Sequence, residues 1–169
     1  MTAAFTIRQA READMRELVE LLGLLFGIES DFAPDAARQR AGLSLLLGKG
    51  AGLVLAATAR SGQPQDAPVA DCDPERVVGM ATAQVVVSTA EGGPALLVED
   101  VVVRPQWRGR GVGRALLSRI EAWGIGLGAT RLQLLADRHN TASHAFYASC
   151  GYASTNLVCL RRVLPAAGK

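Results

Sequence analysis

"VVVRPQWRGRGVGRALL", residues 101–117, passes from a solid run of valines through interleaved arginines and glycines into an amphipathic pattern. A strand that feeds a glycine-rich turn opening a helix makes an anion site. The first N–H groups of a helix have no intrahelical acceptor, and the aligned peptide dipoles leave that end positive. Gly109, Gly111 and Gly113 let an oxyanion approach the backbone, and Arg108, Arg110 and Arg114 place positive charge around it. A pyrophosphate is the guest that suits this combination.

Two familiar phosphate templates fail here. A dinucleotide GxGxxG beginning at Gly109 needs glycine at position 114, where Arg114 stands, and no lysine followed by serine or threonine completes a Walker A loop. The pattern that fits is RxxGxG, Arg108 to Gly113, directly after the strand-like "VEDVVVRP" at 98–105.

Downstream of the loop, Val112, Leu116, Ile120, Trp123 and Leu127 recur at helical spacing and predict a helix from about Gly111 to Leu127. "RLQLLA" (131–136) reads as a strand, "NTASHAFYAS" (140–149) as a short helix, and "NLVCLRRVL" (156–164) as a final strand. Asn140 sits where an N-cap belongs, and Gly151 where a left-handed C-terminal residue belongs. Upstream, "PALLVEDVVV" (94–103), "RVVGMATAQVVV" (76–87) and "GLVLAATAR" (52–60) read as strands. Residues 61–75, "SGQPQDAPVADCDPE", predict a mobile hairpin loop.

The N-terminal part opens with "FTIRQA" as a short strand. A helix through Met15, Leu18, Leu22 and Leu25 follows, then a second from Pro34 to Leu47 with Leu43, Leu46 and Leu47 on its apolar edge. The order βααβββαβαβ predicts a single α/β domain over 1–169: a central mixed, mostly antiparallel sheet flanked by helices.

With 169 residues, 49% hydrophobic and 20% charged, the chain is long enough for one self-sufficient core and is not disordered. Its apolar runs fall short of the roughly 20 residues of a membrane span, and "MTAAFTIRQA" has no signal-peptide pattern. A cytoplasmic protein with no membrane partner is expected. The net charge of +2 and the purely local arginine cluster argue against a nucleic-acid partner. Cys72, Cys150 and Cys159 lack paired spacing, and His139 and His144 lack partners at ligand spacing, so no disulfide framework and no metal are expected.

A second segment sharpens the reading. "NTASHAFYASCGY" (140–152) resembles the NxxAxxFYxxxGF segment of the GNAT superfamily of N-acetyltransferases, with Asn140, Phe146, Tyr147, Gly151 and Tyr152 in register and Ser143 where alanine is usual. The RxxGxG loop resembles the same family's pyrophosphate loop. The motif-specific likeness runs from about Leu97 to Tyr152.

The resemblance implies acetyl-CoA as cosubstrate. Arg108, Gly109, Arg110, Gly111, Val112, Gly113 and Arg114 would cradle its pyrophosphate. The backbone of Val101, Val102 and Val103 would hold its pantetheine arm, and Asn140, Ser143 and Tyr147 would complete the coenzyme site. It also leaves room for a homodimer joined through the final strand.

The implied reaction is acetyl transfer to a primary amine of a small molecule or peptide by direct attack in a ternary complex. It needs a neutral amine, an oxyanion donor and a proton for the departing thiolate. By resemblance Tyr147 supplies that proton, and a backbone N–H near Val101 to Val103 meets the oxyanion. "LVEDVVV" (97–103) is similar to the strand of spermidine/spermine N-acetyltransferases whose glutamate is assigned to proton abstraction, which points to Glu99 as the base. Neighbouring strand residues alternate between faces, so only one of Glu99 and Asp100 is expected to face the site. Cys150 has no obvious histidine partner and reads as structural rather than as a nucleophile.

In this fold the acceptor cleft lies by the first two helices, where Glu29, Asp31, Asp35 and, further on, Glu91 would favour a cationic amine. The alternative function is a non-catalytic acyl-CoA-binding sensor module.

Overall fold

A computed structural model describes residues 4–29, 31–48, 52–59 and 76–165; the loop expected at 61–75, with Cys72, lies outside them. The chain divides into two compact units, 1–134 and 135–169.

The first unit contains β1 (Phe5–Gln9), α1 (Met15–Phe26), α2 (Ala36–Gly48), β2 (Gly52–Ala59), β3 (Val77–Ser88), β4 (Gly93–Val103), α3 (Val112–Gly126) and β5 (Leu132–Leu134). The five strands form one sheet in the order β1-β2-β3-β4-β5. Every neighbouring pair is antiparallel except β4 and β5, which run parallel. The sheet is therefore mixed and mostly antiparallel, as the element pattern indicated.

Why these strands lie centrally follows from their composition. β2 and most of β3 are buried along their length, and their alanines, valines and glycine leave room for helices on both faces. Met15, Leu18, Leu21 and Leu22 of α1 pack with Val54, Ala56, Met80 and Val102; Leu55 and Ala57, also buried, point by alternation to the other face. α3 buries Val112, Leu116, Leu117 and Ile120. Its close seat on the sheet depends on Gly124, where a Cβ would lie 2.8 Å from Leu96 Cδ1.

Polar clasps fix α1. Asp14, at its N-cap position, takes two bonds from Arg8 at 2.6 and 2.8 Å and one from the Arg11 N–H at 2.7 Å. Burial pushes the Asp14 carboxyl up, but these donors outweigh it and hold it below its ordinary value. Arg104, just past β4, donates to the Val77 carbonyl at 2.9 Å and to Glu20 at 3.0 Å, while Glu17 accepts from the Val77 N–H at 3.1 Å. One guanidinium thus joins α1 to the start of β3.

Two expectations are corrected. α2 begins at Ala36 rather than Pro34, because Asp35 Oδ1 accepts from the N–H groups of Ala37 and Arg38 at 3.0 and 3.1 Å and so caps the helix. The final strand at 156–164 does not form. Among the described residues of the second unit the regular element is α4 (Thr141–Ser149), with no strand for "NLVCLRRVL" to pair with there. Its Leu157, Leu160 and Val163 are 86%, 90% and 86% exposed, and alternation without a partner strand and a buried face does not sustain a ladder.

Candidate functional site

β4 carries the feature that shapes the site. Thr82 pairs with Glu99 and Met80 with Val102, so one residue of β3 opposes two of β4. Asp100 takes up the extra length in the left-handed region, at φ +51°, a conformation costly for a side chain with a Cβ. The bulge breaks the alternation, and Glu99 and Asp100 both line the same cavity. The expectation that only one of them could face a given site is thereby overturned.

That cavity, about 750 Å³, lies between α1, α2 and the bulge. Leu22, Phe26, Leu43 and Leu46 give it apolar walls, and Asp31 and Asp35 add carboxylates to those of Glu99 and Asp100. Thr82 Oγ1 donates to Asp100 at 2.9 Å, and Gln84 Nε2 donates to Glu99 at 2.8 Å. Withdrawal from bulk water pushes the Asp100 carboxyl above the ordinary carboxylate range; the Thr82 hydroxyl pulls against this, and the charge of Glu99 adds to it.

Of the other expected acidic residues, Glu91 is not in the cavity wall but is paired with Arg131. Glu29 is also outside the wall. Arg38 lines the cavity and pairs with Asp35 at 3.1 Å.

Past the bulge, β5 pairs with Leu96 to Val98, so among the described residues the edge of β4 from Glu99 to Val103 has no β5 partner. Arg108 folds back on this edge, its Nε donating to the Val103 carbonyl at 3.1 Å. A short turn, Pro105–Trp107, then leads into the loop.

Gly109 and Gly111 have φ of +72° and +83°, and a Cβ at either would meet nothing within 4 Å. Backbone conformation, not crowding by the protein, selects glycine there, and the space above the loop is open. Gly111 is the N-cap position of α3, so the N–H groups of Val112, Gly113 and Arg114 lie in the first turn, without intrahelical acceptors. Arg110 stacks over Trp107, 5.3 Å from the ring centroid. A glycine-lined helix start with arginines at 108, 110 and 114 of the same loop has the donor chemistry a pyrophosphate needs.

The remaining expected residues lie on α4 of the second unit. Asn140 Oδ1 accepts from the Ser143 N–H at 3.0 Å and caps the helix, and Ser143 Oγ donates back to the Asn140 carbonyl at 2.8 Å. Tyr147 packs between Phe146 and Tyr152, with centroids 5.2 and 5.8 Å away. His144 Nε2 lies 3.0 Å from the Asp137 carbonyl oxygen. Cys150 and Cys159 are free thiols. Among the described residues no cluster of three or more His, Cys, Asp or Glu could hold a metal ion, and no helix is long and apolar enough to cross a membrane.

The sequence reading missed Gln84 and Gln39 as cavity residues, and Thr82 as the partner that holds Asp100. Thr82 and Gln84 did leave a signal, two polar side chains two apart in the otherwise apolar "GMATAQVVV" and so on one face of β3.

Comparison with known proteins agrees with this geometry. The family model described as "Acetyltransferase (GNAT) family" matches residues 48–152. An aminoglycoside N(6')-acetyltransferase type 1 of Stenotrophomonas maltophilia is 31% identical over 167 residues, covering 96% of this chain and 95% of that one. Among solved structures, aminoglycoside N-acetyltransferase AAC(6')-Iy in complex with CoA superposes with a TM-score of 0.75 at 20% identity, covering 96% of this chain and 97% of that one. A possible acetyltransferase from Clostridium difficile 630 gives 0.77 at 17% identity, over 96% and 99%.

Proposed function

Given that this chain belongs to the GNAT acetyltransferase family, we propose that it transfers an acetyl group from acetyl-CoA to a primary amine of a small cationic molecule of the aminoglycoside type. The observation that carries the acceptor class is the four-carboxylate cavity between α1, α2 and the bulge of β4. Carboxylates accept hydrogen bonds and attract positive charge, and the full-length relative of Stenotrophomonas maltophilia is named for an aminoglycoside.

The loop Arg108, Gly109, Arg110, Gly111, Val112, Gly113 and Arg114 would hold the coenzyme's pyrophosphate, and the backbone of Val101, Val102 and Val103 its pantetheine arm. Asn140, Ser143 and Tyr147 complete that site by resemblance to the family. When bound, the thioester supplies an activated acetyl group and a thiol leaving group.

The chain's own residues then manage protons. An ammonium docks among the carboxylates, and Glu99, oriented by Gln84, takes one of its protons so that the neutral nitrogen attacks directly, in a ternary complex. A main-chain N–H near Val101 to Val103 meets the developing oxyanion. Tyr147 holds the proton that the departing sulfur requires. The phenol has an ordinary pKa of about 10 against about 8.5 for a thiol, so this donation is mildly uphill.

The test is an acceptor screen with acetyl-CoA, following thiol release with wild type and Tyr147→Phe. Turnover with aminoglycosides, reduced in the variant, supports the proposal. Turnover confined to anionic or uncharged amines defeats the acceptor class. Tight acetyl-CoA binding without transfer to any amine would instead make the chain a sensor module.

A further inference from the structure

We infer that Gln39 reads an oxygen atom of the acceptor, so that the cavity prefers a hydroxylated amine to a bare polyamine; this rests on the reading above that the cavity receives the amine. Gln39 sits on α2 and lines the cavity wall. It is 8% exposed, and its Nε2 is sealed from bulk water with no hydrogen-bond partner among the described residues. Its main-chain N–H is already satisfied by the Asp35 carbonyl at 2.9 Å. Only the side-chain amide is left over.

A buried donor without an acceptor costs the fold its desolvation and returns nothing. The surroundings do not call for one, since Leu22, Phe26, Leu43 and Leu46 share the same wall. The other polar side chains facing the carboxylates are spent: Gln84 donates to Glu99, Thr82 to Asp100, and Arg38 pairs with Asp35. Gln39 is the amide of this wall that still lacks a partner.

The chemistry of the guest follows from donor and acceptor type. Glu99 and Asp100, when ionised, only accept, so they hold ammonium and hydroxyl donors. The Gln39 NH2 group only donates. It repels nothing in an ammonium's methylene neighbours but gains nothing from them either. A hydroxyl or ether oxygen near the reacting amine satisfies it. An amino sugar brings both kinds of group; an aliphatic polyamine brings ammonium and methylene alone and leaves the amide orphaned. Sites that hydrogen-bond a substrate oxygen discriminate strongly against analogues lacking it.

The inference is tested by calorimetric titration of the CoA-loaded protein with neamine and with spermidine, for wild type and Gln39→Met, alongside thermal melts. The expected result is a neamine Kd raised about tenfold in the variant, the equivalent of one lost hydrogen bond. The spermidine-to-neamine Kd ratio should fall by a similar factor, with Tm no lower than that of wild type. Gln39→Leu, shorter and branched, must move the ratio in the same direction. A ratio within twofold of wild type overturns the inference alone, whether both affinities fall together, as a packing role would cause, or neither does. Wild type that binds neither amine overturns it along with the acceptor reading.

Discussion

Thr82 Oγ1 donates to Asp100 Oδ2 at 2.9 Å, across the point where β4 bulges and Asp100 adopts φ +51°. The hydroxyl secures a side chain whose backbone is strained and whose carboxyl is drawn away from water. Both costs are met at one residue, and the outcome is a pair of adjacent carboxylates in one cavity. A strand without the bulge would turn one of them to the opposite face.

Asp100→Asn is expected to stabilise the protein at neutral pH and impair it as an enzyme. A carboxyl whose folded pKa is raised contributes stability present below its unfolded value of 3.8 and lost as pH rises through the folded value. The variant should therefore melt higher than wild type near pH 7, by about 0.5–2 kcal/mol, with the advantage vanishing as pH falls to the unfolded pKa. Its amine kcat/KM should drop about tenfold, the worth of a hydrogen bond to a charged group. Thermal melts across pH, with kinetics at pH 7, check both halves.

Gly111→Ala tests the loop. A Cβ there meets no neighbour, so any penalty comes from φ +83°, which disfavours alanine by roughly 1–2 kcal/mol. A loss of that size in chemical denaturation, with KM for acetyl-CoA raised more than KM for the amine, is expected. Gly126→Ala, also free of contacts but with helical backbone as the last residue of α3, should instead be neutral or slightly stabilising.

Asp14→Asn addresses the clasp that starts α1. The Arg8 and Arg11 donors lower the Asp14 pKa despite burial, so its contribution is present above the unfolded value of 3.8 and disappears as pH falls through the lower folded value. At pH 7 the variant should lose about 1–3 kcal/mol. Below the folded pKa the two proteins should converge. Denaturant midpoints measured from pH 7 down to acid conditions decide it.

Much of this was legible before any coordinates. Near-continuous apolar runs gave β2, β3 and β4 within a residue or so at each end, since their side chains pack inside a sheet covered on both faces. The interleaved Gly109, Gly111 and Gly113 gave the loop, because a left-handed backbone and a helix start leave a compositional trace. The bulge left none: Asp100 is an ordinary residue in "LVEDVVV", and the left-handed turn comes from pairing with β3, a long-range constraint. The strand expected at 156–164 failed for a related reason. Alternation shows that a segment can join a sheet, not that a partner edge exists.

Glu99→Gln separates proton abstraction from simple attraction. Gln84 can still bond the substituted amide, so the cavity wall keeps its geometry, but no base remains on that side chain. An amine must then arrive already neutral. Near pH 7, where most amine is protonated, kcat/KM should fall about 100-fold, in the range ascribed to a positioned general base. As pH approaches the amine's own pKa the neutral fraction grows about tenfold per unit, and the deficit relative to wild type should shrink at least tenfold. If the two pH–rate profiles run parallel instead, Glu99 serves only to attract the cation, and the proton leaves by another route, with Asp100 the neighbouring carboxylate to substitute next.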